Sequence, residues 1–176
     1  MCHRLPKGIW LMSLPADFDI RFTEMGDLAS LQEWLSVPGA CDDFPFGDEE
    51  KEEALKNWVG FSKYKASLTG TMKGVPCAIG TLFLMPYKKV AHHAGFYMIV
   101  EEKERRKGIG TSMVKNLIHL AKTRFKLESL HVEVFEPSSL RPMLKKWGLK
   151  CSRAKDNFVH LGAAHRPRIL MEHYFS

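Results

Sequence analysis

The stretch from Ala91 to Thr111 constrains the fold of this chain more than any other part of its sequence. Ala91–Val100 (AHHAGFYMIV) is apolar enough to form a central strand of a sheet, and the seven residues that follow (EEKERRK) are all charged. Gly108 and Gly110 come next and open an amphipathic helix, whose apolar residues recur at helical spacing: Met113, Val114, Leu117, Ile118, Ala121 and Phe125. The pattern predicts a buried strand and a helix joined by a charged loop that contains two glycines.

The charged loop has three readings: a solvated turn, a basic patch for nucleic acid, or a loop that holds phosphate. The start of a helix offers unpaired amides and a partial positive charge, and glycines let a ligand approach the backbone closely. Two familiar phosphate loops are excluded. A dinucleotide fingerprint needs a third glycine where Met113 stands, and a Walker A loop needs a Gly-Lys-Ser/Thr sequence that the chain lacks.

The other predicted elements fit a mixed α/β layer without regular βαβ alternation. The predicted strands cover Phe18–Thr23, Lys65–Thr71, Pro76–Tyr87 and Leu130–Phe135, with closing strands that include Arg168–Phe175. One predicted helix runs through Leu28–Leu35 and is ended by Pro38-Gly39, and a second runs through Ala54–Phe61 and is capped by Asp48. A further helix covers Leu140–Trp147 and is capped by Ser138 or Ser139. Without repeats or linkers, we expect one domain over residues 18–176. Residues 1–17 are expected to form an N-terminal arm or extra strand, in preference to a signal peptide.

The distribution of charge and the spacing of the cysteines further restrict the classes of function that this chain can have. Residues 40–53 carry a net charge of −6, which leaves +12 on the rest of a chain whose net charge is +6. Such a body favours anionic partners, including a phosphorylated cofactor. The four cysteines are far apart and form no C-x-x-C pair, which predicts reduced thiols in a cytoplasmic protein and no metal site. No apolar run is long enough for a membrane span, so no membrane partner is expected.

The loop closely resembles a known motif. Arg105-x-x-Gly108-x-Gly110, after a strand that ends at Val100, is similar to the R/Q-x-x-G-x-G/A motif of the GNAT superfamily of acyl-CoA N-acyltransferases. Leu130–Val134 (LHVEV) looks like the next strand of that family. Leu144–Leu149 (LKKWGL) resembles its helix ending in Lys-x-Gly-Phe, with Leu149 in place of Phe. The resemblance is strong over residues 91–149 and looser over residues 18–90.

The resemblance implies a fold and a cofactor. The fold would be a mixed, mostly antiparallel sheet of about six to seven strands, splayed between the fourth and fifth and flanked by about four helices. Acetyl-CoA would lie in the gap, with its pyrophosphate on backbone amides of the loop and its pantetheine arm paired with the end of the preceding strand. The implied cofactor-binding residues are Met98, Ile99, Val100, Arg105, Arg106, Lys107, Gly108, Ile109, Gly110 and Thr111.

Catalysis by such a protein needs a base for the acceptor ammonium and an acid for the leaving thiolate. His92, His93 and Glu133 are the candidate bases, since all three lie on strands beside the implied thioester, whereas His119 and His131 are expected to be packing or surface residues. Many family members carry a Tyr as the acid, four residues before the Gly of the helix-ending pattern. This chain has Leu144 there, and it also lacks the Asn common at the head of that helix.

The loop over residues 37–47 would set the acceptor. Asp42 and Asp43 beside Phe44 and Phe46 could hold a cationic amine, with carboxylates on the charge and rings on the methylenes.

We therefore expect an acetyl-CoA-dependent N-acetyltransferase acting on a primary amine of a small cationic molecule or a peptide, and leave a homodimer open. A non-catalytic acyl-CoA-binding module is the first alternative. A basic nucleic-acid-binding domain is a weaker one, because acids interrupt the basic run and no aromatic stacking motif accompanies it, so a nucleic-acid partner is not expected.

Overall fold

The computed structural model describes residues 14–175. Most of the N-terminal arm predicted over residues 1–17 therefore lies outside the described residues. The strands are β1 (Phe18–Phe22), β2 (Ser67–Met72), β3 (Val75–Leu84), β4 (His93–Val100), β5 (Ser129–Phe135), β6 (Lys150–Leu161) and β7 (Ala164–Tyr174). The α-helices are α1 (Leu28–Trp34), α2 (Lys51–Gly60), α3 (Ile109–Thr123) and α4 (Leu140–Lys146).

The seven strands form one sheet in the order β1-β2-β3-β4-β5-β7-β6. Every neighbouring pair is antiparallel except β4 and β5, which run parallel. This parallel pair is held at three positions only, where His93, Ala94 and Gly95 lie opposite Ser129, Leu130 and His131. Beyond Gly95 the two strands part. The mixed, mostly antiparallel sheet splayed between its fourth and fifth strands confirms the predicted fold class.

Helices cover both faces of the sheet around β3 and β4. Helix α3 packs so closely on one face that a Cβ at Gly80 would come within 2.6 Å of Leu117 Cδ1. Helices α1 and α2 cover the other face, where Trp58 and Leu55 pack with Ile79 and other buried residues. Among residues 14–175, no helix has both the length and the apolar character that a membrane span requires.

Two local predictions were wrong in detail. Asp48 does not cap α2. Its carboxylate instead pairs with Lys51 Nζ at 3.2 Å, and the helix begins after Glu50 without a side-chain cap. The closing strands form a much longer hairpin than Arg168–Phe175 alone, because β6 pairs with β7 from Lys150 to Leu161. Strand β6 is exposed along nearly its whole length, so its sequence lacks the alternation of apolar and polar residues that identifies a half-buried strand.

A buried carboxylate ties β1 to β2. Asp27 is 4% exposed and accepts hydrogen bonds from both terminal nitrogens of Arg21 (2.8 Å each), the Glu24 amide (2.9 Å) and the Thr69 hydroxyl (2.8 Å). Burial by itself raises the pKa of Asp27, but these hydrogen bonds outweigh it and hold the pKa below its usual value of 3.8. Because the charged form is the one stabilised, Asp27 favours the folded state at neutral pH.

We expect Asp27→Asn to lower the free energy of unfolding by about 2 kcal/mol at pH 7, because it leaves Arg21 without its counter-charge in a part-buried setting. The pKa of Asp27 is lower in the folded than in the unfolded protein. Its contribution is therefore complete above the unfolded pKa and is lost as pH falls through the folded pKa. Urea denaturation at pH 7 and at pH 3 measures both effects. Asp17→Asn, at an exposed carboxylate, is the matched control and should change neither value.

Candidate active site

A cavity of about 380 Å³ lies where β4 and β5 separate. Residues 97–100 of β4 form one wall and residues 132–135 of β5 form the other. The first turn of α3, the first turn of α4 and the connection between α1 and α2 close its remaining sides. The missing hydrogen bonds between the two strands thus open a space inside the sheet, with strand edges as its walls.

The loop before α3 presents free amides at one end of this cavity. Gly108 has φ 80° and Arg106 has φ 65°, so both adopt the left-handed backbone, which is costly for the non-glycine residue. The Ser112 amide donates to the Gly108 carbonyl at 3.0 Å and begins the helical ladder. The amides of Ile109, Gly110 and Thr111 have no acceptor among the described residues, as expected for a helix start. This end of the cavity can bind an anion.

Charged residues of the loop divide into paired and unpaired ones. Lys103 binds Glu101 at 2.7 Å and Lys107 binds Glu104 at 2.8 Å, whereas Arg105 donates through Nε to the carbonyl of Val100 at 3.0 Å. Arg105 and Arg106 form no ion pair within the described part of the chain and line the cavity. The two arginines are therefore the cations of the loop that remain available to an anion.

The structure brings most of the predicted cofactor-binding residues to the cavity. Eight of the ten line it: Met98, Ile99, Val100, Arg105, Arg106, Gly108, Gly110 and Thr111. Lys107 does not, since its ammonium is engaged by Glu104, and Ile109 is buried in the core beneath the loop.

The predicted acceptor residues divide in the same way. Asp43 and Phe44 line the cavity, and Phe44 meets the Tyr97 ring edge to face at 5.8 Å. Phe46 stacks on Phe44 at 5.4 Å and packs against the core under α1 and α2, away from the cavity wall. Asp42 contributes its backbone carbonyl, which accepts from Arg166 at 2.8 Å.

Arg166 joins three segments around the cavity and was missed from the sequence. From β7, its guanidinium donates to the carbonyl oxygens of Phe135, Glu136 and Pro137 (2.9, 2.8 and 2.7 Å), at the end of β5 and in the connection that follows it. The same group donates to the Asp42 carbonyl and pairs with the Asp43 carboxylate at 3.4 Å. Its partners come from distant parts of the chain, so only the folded structure identifies this role.

The candidate bases lie around a second depression, here called the trough, of about 500 Å³ on the open face of β4, β5 and β7. His92 and His93 line the trough at the start of β4 and do not line the cavity. Glu133 lines both, and its carboxylate accepts from Arg168 at 2.8 Å. His131, expected to be a packing or surface residue, also lines the trough.

Hydroxyl groups reach the cavity from positions other than residue 144. Leu144 is fully buried in the core, as its apolar side chain requires. Tyr97 lines the cavity, and burial, helped by the negative charge of Glu133, raises its pKa to about 12. Thr111, Ser138 and Ser139 also line it. The Ser138 hydroxyl accepts from the Leu140 amide at 3.1 Å, whereas Ser139, the residue at the N-cap of α4, makes no side-chain cap. Tyr97 therefore stays a neutral donor through the physiological range.

The geometry of the gap and its loop agrees with a family profile. The profile of the Acetyltransferase (GNAT) family matches residues 28–148, which is more than half of the chain. The chain belongs to this acetyltransferase family, whose acyl donor is acetyl-CoA. The sequence has no match among curated proteins.

Solved structures share the fold at low sequence identity. A putative acetyltransferase from Salmonella typhimurium, solved with acetyl-CoA, is 13% identical with a TM-score of 0.73, covering 90% of this chain and 94% of that one. The ribosomal-protein-alanine N-acetyltransferase from Brucella melitensis is 15% identical with a TM-score of 0.73, over 89% and 99% of the two chains. A putative phosphinothricin N-acetyltransferase is 14% identical with a TM-score of 0.76, over 90% and 99%. These similarities establish the shared fold.

Arg166→Ala should loosen the connection between α1 and α2 without unfolding the sheet, because residues 42–43 and residues 135–137 lose their shared donor. We expect backbone amides of residues 37–47 to exchange hydrogen about tenfold faster, since each lost hydrogen bond contributes about 1 kcal/mol. Hydrogen–deuterium exchange mass spectrometry measures this directly. The control is Arg153→Ala, an exposed arginine of β6 without an ion pair in the described structure. Equal exchange in both variants would contradict the role of Arg166.

Proposed function

We propose that this protein is an acetyl-CoA-dependent N-acetyltransferase, which transfers the acetyl group to a primary amine of a small cationic molecule or a peptide. The observation that carries the proposal is the cavity between β4 and β5, with three free amides and two unpaired arginines at one end. An elongated acyl-CoA has a diphosphate at one end and a thioester at the other, so it needs an anion seat that continues into an apolar slot. The cavity supplies both.

The residues that would hold the donor follow from this arrangement. Amides of Ile109, Gly110 and Thr111 would bind the diphosphate, with Arg105 and Arg106 as countercharges. Beyond Gly95 the edge of β4 that faces β5 has no strand partner, so it can pair with the amides of the pantetheine arm as an added strand would. The thioester supplies an activated acetyl group. The backbone amides of residues 98–100 are candidates to polarise its carbonyl.

The absence of a tyrosine at position 144 fits this chemistry once the thiol itself is considered. A thiol has an ordinary pKa of about 8.5, so its thiolate leaves without full protonation. Tyr97, with a pKa of about 12, is too weak an acid to transfer its proton to such a thiolate. Its hydroxyl can still donate a hydrogen bond to the charge that develops in the cavity. On this proposal the proton reaches the thiolate from the reacting nitrogen or from water.

A thiol-release assay with acetyl-CoA tests the activity. The amines to be screened are polyamines, amino acids, aminoglycosides and lysine-containing peptides. We expect at least one to give turnover above the rate of donor hydrolysis, with the acetyl group on nitrogen by mass spectrometry. Tight acetyl-CoA binding without release for any amine would favour the alternative of a non-catalytic acyl-CoA-binding module, for which the buried Leu144 is the supporting observation.

Gly108→Glu should abolish acetyl-CoA binding and with it thiol release. The substitution places bulk and negative charge at the anion seat, and it imposes a left-handed backbone on a residue with a Cβ. Gly74→Glu is the matched control, because Gly74 has nearly the same φ (79°) in an open turn between β2 and β3. Isothermal titration with acetyl-CoA separates the two variants. Wild-type affinity in Gly108→Glu would contradict the proposed seat.

A further inference from the structure

His131 occupies the point at which β4 and β5 part. It lies opposite Gly95 in the last paired position of the two strands. A Cβ at Gly95 would come 3.0 Å from His131 Nε2, which is closer than nearly all real contacts of a Cβ. The glycine therefore leaves the space into which the imidazole extends over β4. The imidazole therefore lies at the start of the trough, at the position from which β4 and β5 separate toward the cavity.

The imidazole of His131 is half-buried and has no hydrogen-bond partner within residues 14–175, so its ring nitrogens are available. The titratable groups around it come from three strands and from the connections that precede β4 and β5. His93 of β4 has its ring centroid 5.6 Å away, Glu172 of β7 lies directly opposite in register, and Glu133 of β5 is held by Arg168. His92 and Glu128 line the same trough.

These surroundings keep His131 neutral near physiological pH. Burial lowers the pKa of His131 below its usual value of 6.5, and His93 lowers it further. Glu172 and Glu133 act in the opposite direction, but their effect is smaller. A neutral imidazole with a free ring nitrogen can accept a proton.

We propose that the trough is the docking site of the acceptor amine and that His131 Nε2 takes the proton from the acceptor ammonium. The inference rests on the proposed N-acetyltransferase function and deepens it. Glu128 and Glu172, which have no ion pair in the described structure, would attract the ammonium electrostatically. Glu133 lines both the trough and the cavity, so an amine seated beside it can reach the thioester.

The acceptor ammonium gives one proton to His131 Nε2 and becomes a free amine. Its lone pair forms the C–N bond at the thioester carbonyl carbon, the C–S bond breaks, and the electron pair leaves with sulfur. The second nitrogen proton neutralises the thiolate, giving the amide and free coenzyme A thiol. The proton on His131 then passes to solvent through the open trough.

The first test is His131→Gln, assayed with 1,4-diaminobutane as the probe amine. We expect kcat/KM at pH 7 to fall by about 100-fold, the lower end of what a positioned base contributes. The acetyl-CoA dissociation constant should stay within about twofold of wild type, because His131 lies away from the diphosphate seat. His119→Gln, at an exposed histidine of α3, is the control and should keep wild-type rates.

The pH profile distinguishes a base from a structural residue. With the base present, kcat/KM should be flat from pH 7 up to the pKa of the amine, since the product of neutral imidazole and ammonium is then constant. Without it, only amine that is already deprotonated reacts, so kcat/KM of His131→Gln should rise about tenfold per pH unit over the same range. An unchanged flat profile, or a loss of less than about threefold at pH 7, would overturn the inference.

Two further measurements test the same role by other means: the first displaces the imidazole by a change on the neighbouring strand, and the second needs no turnover. Gly95→Ala should displace the imidazole and lower kcat/KM at least tenfold, with little added effect in the His131→Gln background. Gly26→Ala, where a Cβ meets nothing within 4 Å, is its control.

In NMR titrations of the free protein, the imidazole of His131 should titrate below pH 6.5, and 1,4-diaminobutane should shift its resonances. A titration above pH 7 would contradict the inference.

These tests separate the inference from the proposed function. Wild-type protein that acetylates no amine in the screen would contradict the N-acetyltransferase function, and the inference with it. Wild-type protein that acetylates 1,4-diaminobutane or another amine of the screen, with His131→Gln equally active on it, would leave the function intact and refute the role of His131 alone.

Discussion

The parallel contact between β4 and β5 is the constraint on which the rest of the site depends. Strand β4 is paired with β3 along seven positions, and β5 is paired with β7 along its whole length. Each strand therefore keeps a complete ladder on its outer edge when the two part beyond Gly95. Opening the sheet leaves only the inner edges unpaired, at about 1 kcal/mol per backbone hydrogen bond. The fold thereby exposes strand edges to a ligand at a small cost in stability.

The chain connection fixes where this opening lies. A parallel pair needs a crossover, and α3 supplies it on one face of the sheet, packed against β3 through Gly80 and Leu117. Because α3 starts at the end of the short loop that follows β4, its free amides meet the open end of the gap. Arg105 strengthens this placement by donating to the Val100 carbonyl. The anion seat and the slot therefore follow from the same crossover.

Strand alternation then distributes apolar and polar residues between the two faces of the gap. Met98, Val132 and Val134 belong to the core cluster under α3, and His93, His131 and Glu133 line the trough on the opposite face. Helices α1 and α2 cover β3 and β4 on that second face, so the polar residues beside β5 and β7 stay open. Under the proposed function, donor and acceptor would approach one gap from different sides and meet where the strands part.

Sequence reasoning predicted the parts of this arrangement that depend on local pattern. The glycines at 108 and 110, set between an apolar strand and a helix, predicted a loop with free amides, because that feature needs only a few adjacent residues. The splayed sheet was implied by the resemblance of this motif to the GNAT family. The roles inferred for Arg166 and His131 could not be predicted in this way. Arg166 meets partners more than 120 residues away, at Asp42 and Asp43, and His131 owes its position to a glycine on another strand. Strand β6 was missed as a separate element because neither of its faces is buried.

The charge run from Glu101 to Lys107 shows why net charge is a weaker guide than spacing. Both of its lysines are neutralised by glutamates within the run, and the side chain of Arg105 is fixed to the end of β4. What remains for an anion is a pair of arginines beside a helix start whose amides are free. The basic balance of the whole protein is equally uninformative about the trough, where Glu128, Glu133 and Glu172 lie close to the histidines. Each partner responds mainly to the charges within a Debye length of about 8 Å. A chain of net charge +6 can therefore present a basic seat to a phosphorylated donor and an acidic face to a cationic acceptor.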